Sequence, residues 1–255
     1  MDLGALVSNK HVFITGASGG LGAHFARLYA SCGAVVSVAA RNAGKLAELV
    51  AELQANGGRA NAVALDVTSE ESVAKAFAAA EAAQGPVDVV VNNAGISRPA
   101  LAMDLSAADF DEVVNTNLRG AWLVCAEAGR RWRDAERGGV IVNIASITGY
   151  RVAQAILPYA ASKAAVVHMT KALALEWARY GIRVNALAPG YILTDLNRDF
   201  FETEPGKAMI RRVPMRRLGK EADLDGAILL LSTDASSWMT GEVITVDGGH
   251  LTSPL

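Results

Sequence analysis

Short apolar runs rich in β-branched residues alternate along the chain with longer stretches of mixed polarity. Seven runs read as strands: His11–Thr15, Val35–Ala40, Ala60–Leu65, Val87–Asn92, Val140–Ala145, Ile182–Leu187 and Val243–Val246. Nearly continuous apolarity predicts strands covered on both faces, as in a parallel sheet. The stretches between them predict helices at Gly20–Ser31, Ala43–Asn56, Ser69–Gln84, Ser106–Ala135, Pro158–Tyr180 and Glu221–Ser232. Punctuation agrees. Ser69-Glu70-Glu71-Ser72 supplies a capping serine and early acids, and Asn56-Gly57-Gly58 ends the helix before it. Strand–helix alternation predicts a doubly wound α/β sheet with helices on both faces and right-handed crossovers. No linker, repeat or charge block divides residues 1–255, so one domain is expected.

Composition narrows the class. Hydrophobic residues make up 51% of the 255 and charged residues 20%, with a formal net charge of −2. That is too apolar for disorder and too evenly charged for nucleic-acid binding through bulk charge. The start, Met1 to Lys10, has neither a basic leader nor a continuous apolar run, so a cytoplasmic protein is expected. Cys32 and Cys125 lie far apart, and His11, His24, His168 and His250 are scattered without ligand spacing; no metal is expected.

The 24 glycines carry more information through their positions. Thr15-Gly16-Ala17-Ser18-Gly19-Gly20-Leu21-Gly22 follows the first strand and opens the first helix. Small residues there let the backbone approach a pyrophosphate, and the helix N-terminus offers free N–H groups. A tight turn alone would also use glycines; the place in the chain favours the phosphate loop. The second strand ends Ala39-Ala40-Arg41-Asn42, with an arginine where an NAD-binding sheet carries an acid. A guanidinium suits a 2′-phosphate, so Arg41 favours NADP(H), with NAD(H) the alternative.

With these the chain resembles the short-chain dehydrogenase/reductase family from Lys10 to Gly249. The resemblance is carried by the glycine loop, Asn92-Asn93-Ala94-Gly95, Asn117, Ser146, Tyr159-Ala160-Ala161-Ser162-Lys163, Pro189-Gly190 and Asp247-Gly248-Gly249, in that order. It implies a single-domain Rossmann fold of about seven strands. It also implies that Gly16, Ser18, Gly20 and Leu21 cradle cofactor phosphates and that Asp66 and Val67 border the adenine. Asn93, Ala94 and Gly95 would line the adenosine ribose, and Ile192 and Thr194, beyond Pro189 and Gly190, would meet the nicotinamide.

The catalytic set implied is Asn117, Ser146, Tyr159 and Lys163. Tyr159 and Lys163 are one helical turn apart and share a face. A free tyrosine, with a pKa of roughly 10, is a poor base at neutrality, and a nearby ammonium is expected to lower that value. A serine hydroxyl can donate to a carbonyl oxygen. Asn117 is out of place in an apolar helix; by resemblance it kinks that helix and holds a water chain to Lys163. The reaction implied is reversible hydride transfer between the cofactor and a ketone or secondary alcohol.

The substrate is less determined. Ile147, Gln154 and Tyr191 are expected to touch it, with residues 191–214 as a lid; no base obviously marks a carboxylate-specific site, Arg98 and Arg151 being the candidates. Arg130 and Arg131, with Arg133 and Arg137, could dock an acyl carrier protein, as in 3-oxoacyl carrier-protein or 3-oxoacyl-CoA reductases, but cations ordinarily gather at a helix C-terminus. By analogy the long helices and the final strand assemble a homotetramer. A dinucleotide-sensing module without chemistry is the alternative from another class; it would be expected to lack the tyrosine or lysine, and both are present.

Overall fold

A computed structural model describes residues 2–194 and 198–252. Its strands are β1 (His11–Thr15), β2 (Val35–Ala40), β3 (Arg59–Ala64), β4 (Val89–Asn92), β5 (Gly139–Ile144), β6 (Ile182–Pro189) and β7 (Val243–Val246). They form one parallel sheet in the order β3-β2-β1-β4-β5-β6-β7. Consecutive side chains sort to opposite faces. Val12, Ile14, Val89 and Val91 join one core with Phe25, Tyr29 and Leu49, from α1 (Gly20–Ser31) and α2 (Ala43–Ala55), and with Ile228 of a helix near the C-terminus. Phe13, Val90, Ile141 and Val184 join the other with Phe77 of α3 (Glu70–Gln84) and residues of two later helices. Phe13 and Phe77 stack with ring centroids 4.5 Å apart.

Burial on both faces holds for the inner strands. The outer strands differ: β3 alternates between buried and exposed residues and β7 is only partly covered, because each lies at an edge. The expected helix Ser106–Ala135 is three segments. Ser106 caps α4 (Ala107–Val114), a π-helical turn covers Asn115–Gly120, and α5 (Ala121–Asp134) completes it. The wider turn brings Asn117 inward, 1% exposed, so the residue with poor helix propensity sits where the helix changes type. After β5 comes α6 (Leu157–Trp177), with Pro158 in its first turn. Within 191–214 lie the short helices α7 (Arg198–Glu202) and α8 (Glu204–Arg212), and α9 (Asp225–Ser232) precedes β7. Residues 195–197 of the expected lid, and 253–255 of the tail, lie outside the described residues. Among the described residues no helix is long and apolar enough to cross a membrane.

Candidate active site

The chain leaves β1 for β2 on one side and returns to β4 on the other, so the loops after β1 and β4 diverge and leave a crevice at the carboxyl edge of the sheet, where open α/β sheets take ligands. Those two loops are tied together. Thr15 Oγ1 accepts the backbone N–H groups of Asn93 and Ala94, each at 3.0 Å. Asn93 Nδ2 donates back to the carbonyls of Thr15, at 3.1 Å, and Gly16, at 3.3 Å. Gly16 has φ +67°, and a Cβ there would lie 2.8 Å from Ala94 Cα. Only glycine satisfies both constraints.

Beside the loop runs a cavity of about 360 Å³ lined by Ser18, Gly19, Gly20, Lys45, Thr194 and Glu221. Its floor is the N-terminus of α1, where amide groups lack intrahelical partners. The glycine loop fits a phosphate-bearing dinucleotide: Gly16 and Gly22 leave no space for a Cβ and the N-terminus of α1 offers free amides, while Glu48, Glu52 and Glu221 also stand in the cavity wall. Leu21 is half-buried in the first turn of α1. Arg41 is exposed past the end of β2 and acts electrostatically on Asp66. Hydrogen bonds from Thr68, chiefly, and then Arg41 hold the Asp66 carboxyl below its usual range. Val67 is buried against Gly120 of the π-helical turn, where an added Cβ would lie 2.8 Å from Val67 Cγ2. Pro189 ends β6; the Gly190 amide donates to the Val246 carbonyl, and Ile192 bridges to Gly219.

The four catalytic candidates gather at the β5 end of the crevice. Ser146 is buried just beyond β5 and caps the 3₁₀ turn Ile147–Gly149. Tyr159 lies in the first turns of α6, with Lys163 one turn on. Lys163 is 5% exposed, and its Nζ donates to the Ile144 carbonyl at 2.7 Å. A Cβ on Gly95 would lie 3.3 Å from Asn117 Oδ1 and 3.7 Å from Lys163 Nζ, so the Asn93-Ala94-Gly95 turn covers both. Asn117 Nδ2 donates to the Ile96 carbonyl, at 2.9 Å, and to Ser162 Oγ, at 3.2 Å, while its Oδ1 accepts the Ile96 N–H at 2.8 Å. Ser162 Oγ in turn donates to the Tyr159 carbonyl at 2.7 Å. The Asn117 carboxamide thus pins the β4 loop to α6.

One expectation is corrected. Burial pushes the Tyr159 phenol above its usual value, and the Ser146 hydroxyl is the group that opposes the shift. Lys163 Nζ stands 5.6 Å from the Tyr159 ring centroid, directed at a carbonyl, and burial lowers its own pKa to about 8. In the protein alone the lysine ammonium is engaged by a backbone carbonyl, and burial, opposed by Ser146, sets the direction of the phenol's shift.

On the substrate side, Ile147 is buried and Tyr191 is half-buried against Phe201 and His250, with centroids 5.8 and 5.2 Å away. Gln154 is exposed and makes no hydrogen bond among the described residues. Arg98 is held by both oxygens of Glu112, at 2.8 and 3.0 Å. Arg151, four residues past the Ile147 carbonyl that accepts its N–H, donates to the His250 carbonyl. Arg131 pairs with Glu81 and Glu127, Arg130 with Glu127, Arg133 with Asp134 and Arg137 with Asp88, so this surface is a network of both signs. Sequence reasoning passed over Thr15, Thr148 and Ser162, whose hydroxyls organise the site. The only available signal was their place beside the motifs.

The family model described as enoyl-(acyl carrier protein) reductase matches residues 16–250. Gluconate 5-dehydrogenase of Gluconobacter oxydans is 37% identical over 244 residues, 95% of each chain. The 3-oxoacyl-acyl-carrier-protein reductase of Chlamydia trachomatis is 37% identical over 249 residues, 97% of this chain and 99% of its own. A crystal structure of gluconate 5-dehydrogenase from Burkholderia cenocepacia, in complex with NADP and tartrate, superposes with a TM-score of 0.93 at 34% identity, covering 98% of both chains. The chain belongs to the short-chain dehydrogenase/reductase family. It is an oxidoreductase with a Rossmann fold, acting on CH–OH groups with a nicotinamide dinucleotide.

Proposed function

We propose that the protein interconverts a ketone and a secondary alcohol with NADP(H), using Tyr159 as proton donor and acceptor. The observation that carries this is the convergence of Tyr159, Ser146 and Lys163 at the end of β5, beside the crevice framed by the glycine loop. The dinucleotide, when bound, supplies or accepts the hydride. The chain's residues do the rest. Tyr159 Oη gives its proton to the substrate oxygen during reduction and takes it back during oxidation. Ser146 donates to the same oxygen and orients it. Lys163 would hydrogen-bond the ribose hydroxyls of the bound cofactor, and Asn117 holds the β4 loop against α6 so that distances persist. Arg41 would hold the 2′-phosphate. Residues 191–214 act as the lid, their aromatic side chains Phe201 and Tyr191 excluding water.

Conversion of Tyr159 to Phe tests this. Turnover should fall by roughly 10³-fold while NADPH binding, followed by cofactor fluorescence, stays close to wild type. An active Tyr159→Phe enzyme would sink the mechanism.

A polyhydroxy acid is the substrate class best supported. The relatives named for gluconate are one support. The other is the corner where Arg151 meets His250 and Tyr191, with Arg151 and Arg212 acting electrostatically on both. A panel setting polyhydroxy acids beside uncharged polyols and 3-oxoacyl thioesters decides it; higher kcat/KM on the thioesters would move the assignment to the carrier-protein reductases. The tetramer is proposed on exposed Trp122 and Leu175, which α5 and α6 present for pairing between subunits.

A further inference from the structure

We infer that Thr148 is a positioning residue for the reaction, because it makes Ser146 a one-way hydrogen-bond donor toward the reacting oxygen. Ser146 Oγ accepts two hydrogen bonds from the same residue, the Thr148 backbone N–H at 3.1 Å and the Thr148 hydroxyl at 2.9 Å. A serine hydroxyl has two lone pairs and one proton. With both lone pairs engaged, the proton is what remains, available to Tyr159, whose phenol interacts with this hydroxyl. The first of the two bonds is the cap of the 3₁₀ turn, which any residue but proline supplies at position 148. The second needs a side-chain hydroxyl.

The distinction matters because a serine with a free lone pair can turn its proton away and accept from an alcohol or from the phenol. Ser146 fixed as donor stabilises negative charge on the substrate oxygen and on the Tyr159 phenolate alike. The two states that carry charge during proton transfer therefore see the same oriented dipole, with no reorientation at the moment of reaction. Thr148 is partly buried, so solvent competes weakly for its hydroxyl. This inference rests on the reading of Ser146 and Tyr159 as the groups at the reacting oxygen.

The test pairs Thr148→Val, which keeps the shape and removes the hydroxyl, with Thr148→Ser, which keeps it. Thr148→Val is expected to lose about tenfold in kcat, with NADPH affinity by fluorescence unchanged. The rise of alcohol oxidation with pH should shift to higher pH, because the phenolate loses an oriented donor. Thr148→Ser should restore both kcat and pH profile. Wild-type kcat and pH profile in Thr148→Val would overturn the proposal. So would an equal loss in Thr148→Ser, since methyl packing would then be the cause. Thermal unfolding verifies that both variants fold; should Thr148→Val not fold, Thr148→Ala carries the same expectation. The two readings fail separately. A dead Tyr159→Phe beside a normal Thr148→Val removes only the role of Thr148, whereas an active Tyr159→Phe removes the acid–base assignment itself.

Discussion

The two sides of the crevice are built differently. On the cofactor side, backbone meets backbone: Gly16 lies against Ala94, and Thr15 and Asn93 lock the β1 and β4 loops together. On the substrate side, side chains from separate segments meet, with Tyr191 edge-on to Phe201 and tilted against His250, and Arg151 reaching the His250 carbonyl. A dinucleotide presents the same phosphates in every enzyme that uses it, and fixed N–H groups suffice to hold it. A substrate pocket must be shaped by side chains, which change without disturbing the sheet. The first kind of construction leaves short motifs in a sequence; the second leaves almost none.

Substitutions can break that contrast. The largest effect outside the proposed catalytic tyrosine is expected at Gly16. Gly16→Val puts a branched side chain at φ +67° against the Ala94 backbone. Stability should fall by about 2–4 kcal/mol in denaturant unfolding, with NADPH binding lost alongside. A variant that binds NADPH normally would show that the two loops part more easily than their hydrogen bonds suggest. Arg41→Asp should be milder, because Arg41 is exposed and contributes no packing. The NADPH/NADH ratio of kcat/KM should drop by about 10–100-fold, the scale of hydrogen bonds to a charged group. An unchanged ratio would remove Arg41 from the 2′-phosphate.

The smallest effect is one of pH. Burial disfavours the Tyr159 anion, so in the protein alone the phenol keeps its proton through neutrality. Reduction, which needs the protonated form, should be flat through neutral pH and decline in alkali. Oxidation, which needs the phenolate, should climb with pH over the same range. Parallel slopes in the two directions would show that another group limits proton transfer.

Much of the fold was legible because it rests on periodicity. Apolar runs located all seven strands to within a residue or two, and strand–helix alternation implied the parallel sheet. The edge character of β3 and β7 was not legible, since strand order is a property of pairing and not of local composition. The interruption at Asn115–Gly120 was hinted at by Asn117, whose amide has no place in a regular apolar helix. The site shows the same division. Glycines and the Tyr159–Lys163 spacing announced themselves, whereas Thr148 and Ser162 are ordinary hydroxyl residues until folding sets them beside Ser146 and Asn117.

The sequence by itself determined the elements, the glycine loop and the candidate reacting side chains, because these depend on residue type and local spacing. Only the tertiary structure decided which way each group is driven. Burial raises the Tyr159 phenol and lowers Lys163, a carbonyl of β5 claims the lysine, and a threonine two residues along donates to the serine. Desolvation and hydrogen-bond direction depend on what surrounds an atom in three dimensions, and much of those surroundings comes from residues far apart in the chain.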